Sequence, residues 1–272
     1  MKSCQTVAIV QARMGSSRLP GKVLLDIAGQ PMLRRVVERT RRAKLVEAVI
    51  VATTTEPADD PVADYCDAHG YPVYRGSLHD VLDRYYQAAR WFGARTVVRI
   101  TADCPLIDPV VVDRTVKAFR GADLPHLQCL NPELSGGYDF CANRLPPPWG
   151  RTYPIGLDTE VCSFDGLEII WKEAQEPHQR EHVMPYFYDH QERFKILLVH
   201  HKMDLGALRL TVDTAEDLEL LRQVYAHFSG RDAFSWLEVV ALLERQPELT
   251  AINTQVQHKH YRQVDERRDV PG

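Results

Sequence analysis

Apolar positions along the chain follow two alternating periods. Thr6–Gln11 (TVAIVQ) is a short, β-branched apolar run of the kind that forms a buried strand. Ala48–Ala52, Thr96–Ile100 and, more briefly, Pro72–Tyr74 repeat that pattern. Between these runs the spacing lengthens to that of helices. Met32, Val36, Val37 and Thr40 recur at helical intervals over Pro31–Ala43, behind a first-turn proline. Asp60–Ala68 closes at Gly70. Leu78–Phe92 places Val81, Leu82, Tyr85, Tyr86 and Ala89 on one face and stops at Gly93, and Pro109–Phe119 follows the fourth strand. Strand–helix alternation of this length predicts an α/β fold, a largely parallel sheet with helices on both faces.

The pattern breaks between Leu124 and Pro154, where Gly136-Gly137 and Pro146-Pro147-Pro148 predict an excursion from the sheet. Regular elements then return. Thr159–Ser163, Phe194–His200 and Leu208–Val212 read as strands. Phe164–Ala174, His182–His190, Thr214–Phe228 and Ser235–Arg245 read as helices. Residues 1–250 are expected to form one domain and 251–272 a polar, loosely held tail, with no apolar period from Gln255 onward.

Composition narrows the classes. With 33 Lys+Arg against 37 Asp+Glu, the net charge of −4 gives no global case for a nucleic-acid binder. No apolar run approaches the roughly 20 residues of a membrane span, and the polar start Met1-Lys2-Ser3-Cys4 does not resemble a secretory leader. The chain therefore reads as cytoplasmic. Its six cysteines (Cys4, Cys66, Cys104, Cys129, Cys141, Cys162) are scattered without a CxxC pair and read as reduced, mainly buried thiols.

In open α/β sheets, ligands bind beyond the carboxyl ends of the strands. Three polar features fall there: the basic loop after the first strand, Asp103 after the fourth, and Asp213 after Leu208–Val212. The loop runs Ala12-Arg13-Met14-Gly15-Ser16-Ser17-Arg18-Leu19-Pro20-Gly21-Lys22 and offers two guanidiniums, an ammonium, two hydroxyls and loosened backbone N–H groups. That set suits a polyphosphate, and a plain solvated loop is the competing reading. A Walker motif is excluded, since five residues separate Gly15 from Gly21 and Val23 stands where a hydroxyl is needed. Asp103 is placed to hold Mg²⁺, or simply to cap a turn. Asp108, before Pro109, fits a helix N-cap. Thr214 with Asp217 fits a capping box, which leaves Asp213 available for a cation.

Five segments, Ala12–Leu24, Val73–Ala89, Arg99–Pro109, Arg180–Tyr188 and Arg209–Leu221, together resemble the cytidylyltransferases that activate acidic sugars, in particular the spore-coat polysaccharide branch. The resemblance implies a nucleotide-diphospho-sugar transferase fold: a three-layer α/β/α sandwich with a mostly parallel mixed sheet and an inserted arm, usually dimeric. It implies nucleotide contacts from Ala12, Arg13, Gly15, Ser16, Ser17, Lys22, Arg75 and Asp103. It makes Asp103 and Asp213 the Mg²⁺ ligands, and those two with Arg13 and Lys22 the catalytic set. CTP and a small acidic sugar or hydroxy acid are the implied substrates, CMP transfer with pyrophosphate release the implied reaction, and a homodimer the implied assembly. The stretch 124–154 is then a dimer arm or a set of sugar-facing loops. Ala102 departs from the glycine that relatives commonly carry before the metal-binding Asp.

Other signals have plainer readings. His178 and His182 read as a helix-surface pair, and Tyr85-Tyr86 and Trp91-Phe92 as core. Arg34, Arg35, Arg39, Arg41 and Arg42 read as the solvated face of their helix. A glycosyltransferase of similar architecture is the competing enzyme, and it lacks the expected Asp-x-Asp here. A nucleotide-binding regulatory protein is the competing non-enzyme.

Overall fold

The computed structural model describes residues 6–257 together with residues 262 and 264. Among the described residues the strands are β1 (Thr6–Gln11), β2 (Asp26–Ile27), β3 (Gln30–Pro31), β4 (Ala48–Thr54), β5 (Val73–Gly76), β6 (Thr96–Thr101), β7 (Leu127–Leu130), β8 (Phe140–Ala142), β9 (Glu160–Ser163) and β10 (Ile196–Val199). The helices are α1 (Met32–Thr40), α2 (Asp60–Ala68), α3 (Val81–Trp91), α4 (Pro109–Phe119), α5 (Phe164–Glu173), α6 (Pro177–His182), α7 (Pro185–Asp189), α8 (Ala215–His227), α9 (Trp236–Arg245) and α10 (Pro247–Ala251). Among the described residues no helix is long and apolar enough to cross a membrane.

Eight strands join in one sheet, ordered β5-β4-β1-β6-β9-β8-β10-β7. The first four run parallel, and β9 lies antiparallel to both β6 and β8. Side-chain alternation along β1 divides the core. Ala8 and Val10 pack with α1, α4, α8 and α9, while Val7 and Ile9 pack with α3 and α5 on the other face. This is the expected α/β sandwich.

Several local expectations are corrected. The stretch 124–154 is not an excursion: it supplies β7, at one edge, and β8, inside the sheet. β8 is only three residues long, too short for its period to be read. Leu208–Val212 forms no strand of the sheet, although a single parallel bridge joins Arg209 to Ile155. Its apolar residues Leu210 and Val212 are nevertheless buried. The helix expected over His182–His190 is broken at Val183, which takes a φ of 74°. Pro185 lacks the N–H that would continue α6, and a second short helix starts there instead.

The arginine stripe of α1 is also corrected. Arg35 and Arg39 are 1% and 0% exposed. Arg35 donates to the carbonyls of Ile27, Ala28 and Gly230, and Arg39 to those of Ile107, Asp232 and Phe234. These carbonyls satisfy the guanidinium donors, and Asp232, 2.8 Å from Arg35, and Asp108, 3.8 Å from Arg39, offset the two buried charges. Tyr85 and Tyr86 are core residues as expected, but Trp91 is 52% exposed. Cys66, Cys104, Cys141 and Cys162 are free and buried, Cys129 is free and half-buried, and Cys4 lies outside the described residues. Order extends past residue 250: Asn253 is buried and donates to Arg209 O and Asp217 Oδ1. Most of the rest of the expected tail lies outside the described residues.

Candidate active site

The basic loop leaves the carboxyl end of β1 and folds back on itself. Gly21 N and Ser16 N both donate to Met14 O, at 2.8 and 3.0 Å, and Leu19 N donates to the Ser16 hydroxyl at 3.3 Å. Gly21 has a φ of 71°, which a glycine adopts without strain and which turns the chain toward Lys22. The loop is fastened from outside by a buried residue the sequence did not single out. Asp59, at the start of α2, accepts from Met14 N at 2.6 Å and from the Thr54 hydroxyl.

Lys22 is the centre of the site. Its ammonium donates to Asp103 Oδ2 at 2.9 Å, to Asp213 Oδ1 at 2.8 Å and to Val212 O at 2.8 Å. Burial opposes the charge on Lys22, but Asp103 and Asp213 overcome it and raise its pKa. Burial likewise opposes ionisation of Asp213. Lys22, Arg18 and Arg209 outweigh it, holding that carboxyl well below the usual carboxylate range. Arg18 reaches Asp213 Oδ2 at 2.8 Å, and so does Arg209. Arg209 in turn grips buried Asp217 with Nε and Nη2, both at 2.9 Å. The Thr214–Asp217 capping box forms as expected. Asp217 therefore both caps α8 and holds the arginine that orients Asp213.

These groups open onto a cavity of about 660 Å³. Arg13, Gly15, Ser16, Ser17, Lys22, Asp103 and Asp213 all line it. Ala12 lies beneath, buried, with its N–H on Ala52 O at 3.1 Å. Arg75 does not reach it. β5 is two strands away from β1, and the Arg75 guanidinium bends over the β4–α2 turn onto Thr54 O, Glu56 O and Asp60. Asp108 caps α4 through Val110 N at 2.8 Å and also accepts from Trp236 N, a structural role as expected. His178 pairs with Asp189 at 2.7 Å, whereas His182 borders the cavity.

A second set of charged residues, absent from the sequence reading, completes the wall. Arg99 on β6 pairs with Glu160 on β9, and Arg144 stands 3.5 Å from Glu160 and 3.6 Å from Asp158. Arg151 holds Asp158 through two bonds of 2.8 and 3.2 Å. Arg99, Arg144, Arg151 and Tyr188 all line the cavity. The irregular stretch before Pro154 thus supplies both sheet strands and cavity rim. An arginine inside the run TVVRIT was the available signal, since a lone charge in a buried strand needs a partner.

Comparison with known proteins places the chain in a family and a fold. The cytidylyltransferase family model matches residues 7–245. The spore coat polysaccharide biosynthesis protein SpsF of Bacillus subtilis is 29% identical over 249 residues, covering 88% of this chain and 94% of that one. The 3-deoxy-manno-octulosonate cytidylyltransferase of Trichlorobacter lovleyi is 40% identical over 201 residues, covering 67% of this chain and 78% of that one. Among solved structures, a cytidylyltransferase from Leptospira borgpetersenii superposes with a TM-score of 0.81 at 31% identity, covering 94% of this chain and all of the other.

Proposed function

The chain belongs to the cytidylyltransferase family, and from that premise we propose that it transfers CMP from CTP to a small acidic sugar or related hydroxy acid, with Mg²⁺ as cofactor. The observation that carries this reading is the meeting of the loop's cations with Asp103 and Asp213 at one cavity. The relatives that act on 3-deoxy-manno-octulosonate or serve spore-coat polysaccharide synthesis support a sugar-acid acceptor and a role in cell-surface polysaccharide synthesis.

In the reaction, an acceptor hydroxyl oxygen attacks the α-phosphorus of CTP in line. The bond from that phosphorus to the oxygen bridging to the β-phosphate breaks, pyrophosphate leaves with the electron pair, and the hydroxyl proton passes to solvent. Such chemistry depends on positioning and charge neutralisation. Arg13 and the Ser16 and Ser17 hydroxyls, which line the cavity, would supply donors to the triphosphate, and Lys22 adds positive charge beside it while holding Asp103 and Asp213 in place. Asp103 and Asp213 fit a divalent cation, because both carboxylates already converge on one positive centre, the Lys22 ammonium. Two carboxylates completed by phosphate oxygens and water are a usual Mg²⁺ donor set. When bound, Mg²⁺ supplies neutralisation of phosphate charge.

Calorimetry with CTP, UTP and GTP in the presence of Mg²⁺, followed by pyrophosphate release against a panel of sugar acids, tests the proposal. CTP binding with acid-dependent release is expected, and release should stop on chelation and return with added Mg²⁺. CTP binding without release for every acceptor would favour a regulatory nucleotide-binding protein instead.

A further inference from the structure

Phosphate binding does not account for the second charged network in the cavity wall. Arg99 is 8% exposed and Glu160 1%. They face each other directly across the β6–β9 ladder. Arg144 and Arg151 join them through Glu160 and Asp158, so three guanidiniums share two carboxylates and the network carries one surplus positive charge. Uncompensated charge at this depth is costly. Two of its donors, Arg99 Nε and Arg144 Nε, are buried without a hydrogen-bond partner. Arg99 is fixed in place, with its guanidinium carbon 6.0 Å from the Tyr85 ring centroid. Tyr85 is itself anchored by its hydroxyl to the carbonyls of Ile9 and Ile100 at 3.2 Å.

We infer that Arg99 is a specificity-determining residue: with Arg144 it seats the carboxylate of the acceptor, and the substrate supplies the anion that the protein leaves out of this network. The inference rests on the cytidylyl-transfer reading and adds to it the residue that selects an acidic acceptor. Arg99 precedes Asp103 by four residues of one chain segment, a reach of at most about 14 Å. An anion seated at Arg99 therefore lies within one small molecule of the phosphate-activating groups. The planar guanidinium fork matches a carboxylate in a way that an ammonium does not. Glu160 prevents the pair from acting as a general anion sponge, because it already occupies one side of each guanidinium.

The test compares wild type, Arg99→Gln and Arg99→Lys. CTP affinity is measured by calorimetry, fold by circular dichroism, and pyrophosphate release with a panel of sugar acids and their methyl esters. For the acid with the lowest wild-type KM, Arg99→Gln should raise KM at least 50-fold and lower kcat much less, with CTP affinity within about twofold. Preference for acid over ester should collapse in the same variant. Arg99→Lys should recover only part of the loss. A folded, CTP-binding Arg99→Gln enzyme with acid KM within threefold of wild type would overturn the inference and leave cytidylyl transfer standing. Wild-type turnover of esters as readily as acids would overturn it as well. If Arg99→Gln does not fold, the acid-to-ester preference of wild type and Arg99→Lys decides: a preference unchanged by the lysine overturns the inference. A wild type that neither binds CTP nor releases pyrophosphate would refute the functional reading itself, and the inference with it.

Discussion

Asp59 accepts the Met14 amide at 2.6 Å, although the two residues are 45 apart in sequence. This bond fixes the basic loop to the turn after β4 before any nucleotide arrives. Hydrogen bonds to a charged partner contribute about 1.5–3 kcal/mol, or about 10- to 100-fold in affinity if the loop must be ordered by ligand instead. Asp59→Ala should therefore weaken CTP binding by about tenfold or more by calorimetry, with helix content unchanged. Unaltered affinity would show that the loop is held without Asp59.

Lys22 answers two carboxylates that would otherwise repel each other. Replacing it with Met leaves Asp103 and Asp213 without the cation that holds them together, so pyrophosphate release should fall by about 10²–10³-fold. The pH dependence of stability has a definite sign. The Lys22 pKa is raised above 10.5, so its contribution is present below that value and is lost as pH rises through the folded pKa. The Asp213 pKa is depressed below 3.8, so its contribution is present above that value and is lost as pH falls toward the folded pKa. Thermal melts of wild type and Lys22→Met should differ by a constant amount from about pH 5 to 9, converging only in strong acid or strong alkali. Convergence near neutrality would contradict the ion network.

Gly156 lets two chain segments pass at close range. Its φ is 104°, and a Cβ there would meet the carbonyl carbon of Leu210 at 2.6 Å. Leu210 lies three residues before Asp213, so crowding at this point displaces the site as well as the core. Gly156→Ala should cost about 2–4 kcal/mol, from a strained backbone plus overpacking. A chain of this length then melts roughly 5–15 °C lower. A melt within a degree of wild type would show that the segments can move apart freely.

Strand–helix alternation reveals most of this architecture because most elements of the first half are long enough to display their period, and α2 and α3 are closed by Gly70 and Gly93. It also predicts that Lys22 and Asp103 share a rim, since carboxyl ends of parallel strands lie on one side; Asp213 reaches the same rim although Leu208–Val212 is not a strand of the sheet. What it conceals is any residue whose role depends on partners distant in sequence. Arg35 and Arg39 fit the stripe of a solvated helix, yet they are buried where the carbonyls of 27–28 and 230–234 accept from their guanidiniums. β8 is concealed by its length, and Leu208–Val212 by an apolar pattern that burial alone explains. Arg75 belongs to a matching motif, but motif membership does not specify which side of a strand turn its guanidinium takes.

The central claim is that Asp103 and Asp213 serve phosphoryl chemistry at the Lys22 site. Initial rates of pyrophosphate release from CTP, with Mg²⁺ and a turned-over sugar acid, test it most directly in Asp103→Asn against wild type. A folded variant with its rate down by about 10³-fold or more is predicted. A folded Asp103→Asn enzyme releasing pyrophosphate at the wild-type rate would contradict it.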